Sequence, residues 1–376
     1  MFSNVENNII YNKLEAVYSS EYNKYILFKD HTSKLNNYKK KIDGIKYWDR
    51  AKKLANPYEL IFISGYKSDL SISKFKPLSR SYFKLIEIIN KYNLVNTKNS
   101  IKIACLCEAP GAFTQALYNL RKLYKDELYS ISLLDIDNTE VPNWNKLKDK
   151  KRLAKYVNIS YGNLYNLNDI NNFKENTGKV DFITADGGLD YSSDNYHQEQ
   201  LFYKLIFGEL LTALKIQCIG GTFILKIVDI MSILTIKIIY ILVCLYDTVD
   251  IDKPCTSRPS NAEKYLICKG FRGISEELLN KLEHIFVNWT DTLVDIKNID
   301  VPNWFIHKIY DYNNKYVENQ CNYLDKIFKY ADKKIEVEDY NNILCEQTKN
   351  AIKWCEENNI VINSKSIYYK KFMGNI

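Results

Sequence analysis

The stretch ACLCEAPGAFTQAL, residues 104–117, decides how the rest of the chain is interpreted. It opens on a short apolar run, as in a buried strand, and closes on residues with the composition of a helix. Between the two, Glu108, Pro110 and Gly111 form a small turn. A strand that turns directly into a helix is the unit of an α/β sheet, and such sheets bind small polar ligands at these turns. An ordinary tight turn without a ligand explains the same residues.

The composition predicts a folded protein. Of the 376 residues, 46% are hydrophobic and 14% aromatic, which supplies a large core and excludes global disorder. The formal net charge of +7 is a mild bias towards an acidic partner such as nucleic acid, although a solvated basic surface explains it equally well. The nine cysteines lack zinc-binding spacing, so no metal site is expected, and they favour reduced thiols inside the cell.

One strongly apolar run resembles a membrane span. Residues 230–246 contain a single charged side chain, Lys237. The run is shorter than the about 20 apolar residues that a span needs. We therefore predict a core helix that covers a sheet, and no membrane partner.

From about residue 76, short apolar runs alternate with segments of helical periodicity. This alternation predicts an α/β fold with a mostly parallel, seven-stranded sheet and helices on both faces. We expect strands at 101–106, 130–135, 156–160, 180–185, 221–227, 247–251 and 264–268, and helices at 79–91, 112–124, 141–152, 196–216 and 231–246.

Both ends of the chain are predicted to be helical. Residues 1–75 form an N-terminal extension with apolar residues at loosely helical spacing, and residues 76–272 form the α/β domain. Strands are expected to stop at about residue 273. The C-terminal region, 273–376, has helical patterns at 275–294, 304–333 and 336–358.

Polar residues follow successive strands, where an open α/β sheet binds ligands. Gly111 lets a ligand approach the backbone, and the helix after it offers N–H groups to a carboxylate. Asp135 is placed to bind a ribose diol, and Asn163 to contact an adenine edge. Asp186 adds a carboxylate to the same cleft, and Lys226 ends the fifth strand. Each residue alone is explained as a helix cap or a surface side chain, but their order favours one site.

Five segments resemble successive motifs of the FtsJ/RrmJ-type RNA ribose 2′-O-methyltransferases. The sequence LCEAPGAF, followed by ADGG, most resembles the cap-specific, adrift-type branch of that family. The resemblance covers roughly residues 76–272 and implies a Rossmann-like fold that uses S-adenosylmethionine. The segments are SRSYFKL (79–85), ACLCEAPGAFTQ (104–115), DFITADGG (181–188), GGTFILKI (220–227) and RPSNAEKYLIC (258–268).

The resemblance also implies the residues of the site. Asn163, the position implied to contact the adenine, stands where many members of the family have aspartate. The family's catalytic Lys-Asp-Lys-Glu tetrad falls on Lys84, Asp186, Lys226 and Glu263, and its cofactor positions fall on Gly111, Phe113, Asp135, Asn163 and Asp186.

The chemistry gives these residues different tasks. The enzyme must align the ribose oxygen with the methyl group and help a proton leave. A lysine acts as a base only when neutral, and two neighbouring lysines lower each other's pKa, whereas Asp186 opposes that shift. We expect Lys226 at the 2′-hydroxyl, with Lys84 and Glu263 steering it. The residues leave open whether Lys226 accepts the proton or only positions the oxygen.

Three functions fit the sequence. The first is methylation of the first transcribed nucleotides of capped mRNA, and the second is the same reaction on ribosomal or transfer RNA. The third is an idle methyltransferase fold that binds RNA as a subunit, which an intact tetrad disfavours. The expected partner is RNA, with other capping or transcription proteins as candidates for the helical extensions.

Overall fold

The computed structural model divides the chain into two compact units, each built from separate stretches of sequence. The first unit contains residues 1–33, 95–253 and 263–314, and the second contains 34–94, 254–262 and 315–376. The residues described are 1–3, 5, 13–42, 44–95, 99–121, 125–135, 138, 141–189, 196–332 and 335–374, without the side chains of residues 66 and 68.

All described strands lie in the first unit, and the predicted seven form the body of its main sheet. In chain order they are β1 (Phe2–Ser3), β2 (Glu15–Tyr18), β3 (Lys102–Leu106), β4 (Glu127–Ser132), β5 (Val157–Tyr161), β6 (Val180–Ala185), β7 (Gln217–Ile227), β8 (Tyr246–Asp252), β9 (Lys264–Phe271) and β10 (Leu293–Lys297).

The main sheet has the strand order β1-β8-β9-β7-β6-β3-β4-β5. Strands β3 to β7 are parallel to their neighbours among themselves, whereas β9 is antiparallel to both β7 and β8. The chain runs from β3 outward to β5 and then returns to β6 on the other side of β3. The carboxyl ends of β3 and β6 therefore border the topological switch point, where α/β sheets bind their ligands.

Strand β4 lies three residues earlier than the predicted strand at 130–135. Its start is fixed by the parallel ladder, which pairs Glu127 with Lys102 at the beginning of β3. The apolar residues Leu133 and Leu134, which suggested a strand, lie beyond its end and are 41% and 45% exposed. Pairing along the ladder therefore overrides the apolar run, and Asp135 does not directly follow a strand.

The helices match most of the predicted ones. Helix α7 was not predicted, because its sequence LNDINNFKENT is mostly polar and buries only two large apolar side chains. The helix expected at 141–152 is broken into two short ones. The described helices are α1 (Lys29–Ile42), α2 (Trp48–Ala55), α3 (Ser81–Tyr92), α4 (Ala112–Arg121), α5 (Asn145–Lys148), α6 (Lys151–Ala154), α7 (Leu167–Thr177), α8 (Gln198–Ile216), α9 (Ile233–Leu245), α10 (Glu276–Val287), α11 (Asn303–Asp332), α12 (Val337–Glu357) and α13 (Ile367–Gly374).

Helix α9 is the core helix that the apolar run predicted. Every residue from Leu234 to Leu245 is buried, and Lys237 is stabilised there by an ion pair with Asp295 at 2.7 Å. Within the described parts of the chain, no helix combines the length and apolarity that crossing a bilayer requires.

In the first unit, helix α8 lies very close to the backbone of a neighbouring loop at Gly208. A Cβ atom at Gly208 would collide with the carbonyl oxygen of Leu164, in the loop after β5. Only glycine fits this position, so α8 lies directly against that loop.

The prediction that strands stop at residue 273 is wrong. After α10, strand β10 pairs with β2 in an antiparallel ladder that joins Leu293 to Tyr18 and Lys297 to Glu15. Both extensions contain helices as expected, and each also contributes one strand to this second, two-stranded sheet. The pairing connects segments that are far apart in sequence, which local patterns do not reveal.

The second unit is helical and contains α2, α3, α12 and α13, with parts of α1 and α11. Its described residues include an ionic group around a buried carboxylate, here called the Glu59 cluster and formed by Glu59, Arg80, Arg258 and Asn56. Arg80 and Arg258 donate to the Glu59 carboxylate at 3.0 and 3.1 Å, and the Asn56 amide donates at 2.6 Å. Burial alone raises the pKa of Glu59, but the two guanidinium groups outweigh it, so the pKa lies below its usual range.

Candidate active site

The turn after β3 is held together by Glu108. Its carboxyl group is 5% exposed and accepts a hydrogen bond from the backbone N–H of Thr114 at 2.8 Å. The N–H of Phe113 faces the same carboxyl group. The prediction that the first turn of α4 offers its N–H groups to a ligand is therefore wrong at these two positions, because Glu108 already uses them. Burial raises the pKa of Glu108 to about 8.

Two predicted cofactor residues, Gly111 and Phe113, have structural reasons of their own. Gly111 has a φ of 104°, and a Cβ atom there would collide with the Leu147 side chain, so packing as well as backbone geometry requires glycine. Phe113 is 1% exposed, and its ring lies 6.3 Å from that of Tyr265. A role for either residue in cofactor binding stays a prediction.

The next two predicted cofactor residues present exposed polar groups after β4 and β5. Asp135 accepts the N–H of Asn138 at 3.1 Å. Asn163 donates its N–H to Asp169 at 2.8 Å and accepts the N–H of Tyr165 at 2.9 Å. Both residues thus sit in loops stabilised by local hydrogen bonds.

The structure brings Asp186 and Lys226 together, as predicted. The Lys226 ammonium lies 3.3 Å from the Asp186 carboxylate and donates to the Asp186 carbonyl oxygen at 3.1 Å. The hydroxyl of Tyr265 donates to the same carboxylate at 2.8 Å. The Lys226 side chain is only 11% exposed and that of Asp186 only 12%, so the ion pair is largely shielded from water.

Sheet pairing explains why these residues meet. Lys226 and Tyr265 are direct partners in the antiparallel ladder between β7 and β9, so their side chains lie on one face. Asp186 follows β6, whose last residue, Ala185, pairs with Leu225 of β7. Glu263 immediately precedes β9, two residues before Tyr265, and its charge acts on both Lys226 and Tyr265.

Charge around Lys226 holds it as an ammonium group. Burial alone lowers the pKa of Lys226, but the negative charges of Asp186 and Glu263 reverse this, and the pKa lies above the usual lysine range. The expectation of a lowered lysine pKa is therefore not met for Lys226. The arrangement suits donation of a hydrogen bond to an oxygen rather than removal of a proton by the resting enzyme.

A comparison with protein families identifies this sheet. Residues 77–271, just over half of the chain, match the family model described as FtsJ-like methyltransferase. The chain belongs to the FtsJ-like methyltransferase family. This confirms the family and the Rossmann-like fold that the motifs predicted.

The curated relatives of this FtsJ-like chain are named for a cap-specific reaction. A Drosophila melanogaster protein named cap-specific mRNA (nucleoside-2′-O-)-methyltransferase 2 is 31% identical over 70% of this chain and 39% of its own length. A Trypanosoma cruzi protein named cap-specific mRNA (nucleoside-2′-O-)-methyltransferase 1 is 34% identical over 50% of this chain and 53% of its own length. The chain thus spans about half or less of the length of these relatives, which come from the branch that its motifs resemble.

The remaining residue of the predicted tetrad, Lys84, lies on α3 in the second unit, where it is half-buried. Its assignment rests on the motif SRSYFKL and stays a prediction. The other three residues belong to the first unit.

Two residues at the carboxyl edge of the methyltransferase sheet were not predicted. Tyr265 was identifiable, because it lies two residues after Glu263 and a strand places such residues on one face. Glu209 of α8 lies within the apolar sequence LIFGELLTAL, and a single carboxyl group in a buried helix is a recognisable signal. Glu209 is 1% exposed and accepts the N–H of Gly187 at 3.0 Å.

Proposed function

We propose that this FtsJ-like chain is an S-adenosylmethionine-dependent methyltransferase that acts on a ribose 2′-hydroxyl in the first transcribed nucleotides of capped mRNA. The observation that carries the proposal is the shielded pair of Lys226 and Asp186 at the switch point of the sheet. Family membership supports the methyl-transfer reaction, and the names of the relatives support the capped substrate.

The donor set at the carboxyl edge suits a nucleoside cofactor. Asp135, Asn163 and Asp186 follow three strands of the same sheet and offer carboxylate and amide groups, which bind hydroxyl and amino groups well. We propose that Asp135 binds the ribose, Asn163 the base, and Asp186 borders the methionine end, with Gly111 and Phe113 in the first loop. Bound S-adenosylmethionine supplies a methyl group that is already strongly electrophilic.

The residues of the chain would then orient the acceptor. The Lys226 ammonium is fixed by Asp186, which Tyr265 holds from the other side. In this arrangement Lys226 donates a hydrogen bond to the ribose oxygen and aligns it for in-line attack. Glu263 adds negative charge that keeps Lys226 protonated, and Lys84 completes the proposed tetrad. Because Lys226 stays charged, the 2′-hydroxyl proton passes to water as the oxygen–carbon bond forms and the sulfur–methyl bond of the donor breaks, rather than beforehand.

Methyl transfer from labelled S-adenosylmethionine tests the proposal. Capped, uncapped, ribosomal and transfer RNA are offered in parallel, and nucleoside analysis locates the methyl group. A ribose 2′-O-methyl group on the first nucleotides of the capped RNA alone is the expected result. Equal labelling of ribosomal or transfer RNA would show that the substrate is not specifically capped mRNA. RNA binding without any methyl transfer would indicate an idle subunit.

A further inference from the structure

A buried carboxyl group supports the loop that carries Asp186. Glu209 accepts the backbone N–H of Gly187, the residue directly after Asp186, at 3.0 Å. A Cβ atom at Gly187 would lie 2.5 Å from the same Glu209 oxygen, so the loop backbone and the carboxyl group are in close contact. Glu209 therefore reaches from α8 to the end of β6.

The same carboxyl group also reaches the end of β3. The Cys107 thiol, at a residue with a φ of 53°, interacts with Glu209 and helps to set the pKa of both groups. Burial raises the pKa of Glu209 to about 8, which leaves the group uncharged at neutral pH. The titratable groups that act on Glu209, or on which it acts, are Cys107, Tyr165, Asp186, Lys226 and Tyr265.

We propose that Glu209 is a positioning residue for methyl transfer, which holds the Asp186–Gly187 backbone so that Asp186 stays within reach of Lys226 and Tyr265. The proposal rests on the proposed function for its effect on rate. It does not require Glu209 to touch substrate or cofactor. A neutral carboxyl group offers one acceptor and one donor, and a glutamine amide offers the same pair in the same shape.

The substitution Glu209→Gln should therefore keep methyl transfer within about threefold of the wild-type rate. The substitution Glu209→Met keeps the volume but removes the acceptor, which leaves the Gly187 N–H buried without a partner. At saturating RNA and cofactor, its rate should fall by about tenfold or more, because small displacements of reacting groups are costly. Glu209→Asp, which cannot span the distance, is the second variant if the methionine variant does not fold.

Thr212→Val is the matched control. Thr212 is fully buried one turn along α8, and its hydroxyl donates only within the helix, to the Gly208 carbonyl oxygen at 2.7 Å. This variant also loses a buried polar group, but its rate should stay near the wild-type value. A general loss of stability would lower both rates, whereas positioning lowers only that of the Glu209 variant.

Hydrogen exchange gives a readout that does not depend on activity. Peptides covering residues 182–188 should exchange faster in Glu209→Met and Glu209→Asp than in the wild type, and Glu209→Gln should restore protection. Unchanged exchange, or a Glu209→Gln rate as low as that of Glu209→Met, overturns the proposal. If the wild type methylates no RNA, the proposed function fails, and the exchange measurement still decides the role of Glu209.

Discussion

Glu59 in the second unit and Glu209 in the first are both buried carboxyl groups, but their surroundings shift the two pKa values in opposite directions. Two guanidinium groups, from Arg80 and Arg258, balance the negative charge of Glu59 and lower its pKa. Glu209 receives a backbone N–H from Gly187, and its pKa rises to about 8. The first carboxyl group is a fixed charge at neutral pH, whereas the second is not charged.

Glu108 belongs with Glu209 in this comparison. It too is bound by backbone N–H groups, and its pKa also rises to about 8. Lys226, whose charge acts on Glu209, pairs directly with Asp186. Removing one partner of a buried ion pair leaves an uncompensated charge and is strongly destabilising, whereas carboxyl groups with strongly raised pKa values concentrate at sites of chemistry. We therefore expect substitutions in the Glu59 cluster to affect stability and substitutions at the carboxyl edge to affect activity.

The largest expected effect is the loss of methyl transfer in Lys226→Ala. Removing the ammonium group should lower the rate by roughly 10²–10⁴-fold, the range for a positioned proton donor or acceptor. Cofactor affinity should change little, because Lys226 acts on the acceptor oxygen. Lys226→Arg should not restore the rate, since a guanidinium group is larger and planar. Single-turnover rates with capped RNA and calorimetry with the cofactor measure both quantities.

Asp186→Ala provides the contrast to Lys226→Ala, and it should lower both rate and cofactor affinity. A folded Lys226→Ala protein with a near-normal rate would refute the proposed mechanism. Lys226 would then be an ordinary lysine at the end of a strand. The contrast between a stabilising Glu59 cluster and a catalytic carboxyl edge would no longer hold.

In the second unit, the expected effect is on the free energy of unfolding. Glu59→Gln leaves Arg80 and Arg258 without their counter-charge, which should cost about 3 kcal/mol. Asp49→Asn, on α2 of the same unit, is the control, because Asp49 is 82% exposed in its ion pair with Lys52 and should contribute less than about 1 kcal/mol. Urea denaturation measures both values. A Glu59→Gln cost no larger than that of Asp49→Asn would show that the two arginines are solvated without Glu59.

The dependence of stability on pH should have opposite signs for the two kinds of carboxyl group. Because the folded-state pKa of Glu59 is lowered, its stabilisation is present above its unfolded pKa and is lost as the pH falls through its folded pKa. For Glu108 and Glu209, with folded pKa values of about 8, the stabilisation is full below the unfolded pKa and decreases as the pH rises to about 8.

Denaturation of the wild type and the glutamine variants at several pH values between 4 and 9 tests these signs. The stability of the wild type relative to Glu108→Gln or Glu209→Gln should fall with rising pH, by at most about 1.4 kcal/mol per pH unit for each group. Relative to Glu59→Gln, it should fall only in acid. Parallel curves for all three variants would contradict the assigned charge states.

The smallest predicted effect concerns cofactor affinity at Asp135. Asp135→Ala should weaken S-adenosylmethionine binding by roughly 1–2 kcal/mol, because the lost hydrogen bond lies at an exposed residue. Asp149→Ala removes the same charge from another exposed position of the first unit and should leave binding unchanged. Equal affinities for the two variants in calorimetry would remove Asp135 from the proposed site.

Local patterns predicted most of the first unit from the sequence. The strand–turn–helix unit at 104–117 and the strand at 180–185 formed where the apolar runs placed them. The ion pair of Asp186 with Lys226 was also predicted, since motifs at neighbouring strand ends converge at one edge of a parallel sheet.

Contacts between distant segments explain what the sequence did not predict. The ladder with β3 sets the start of β4, and β2 pairs with β10 across most of the chain. The roles of Glu108 and Glu209 depend on which N–H groups a folded backbone directs at them. Local propensity contains no information about such three-dimensional pairings.

The close approach at Gly208 has a mechanical consequence. One residue before Glu209, α8 lies against the loop after β5, while Glu209 itself holds the loop after β6. These loops flank the switch point from opposite sides, because β5 lies beyond β4 and β6 lies beyond β3 in the strand order. A single turn of α8 therefore couples the two loops, and Gly208→Ala, which would force α8 and the Leu164 backbone apart, would also disturb the support that Glu209 gives to the loop after β6.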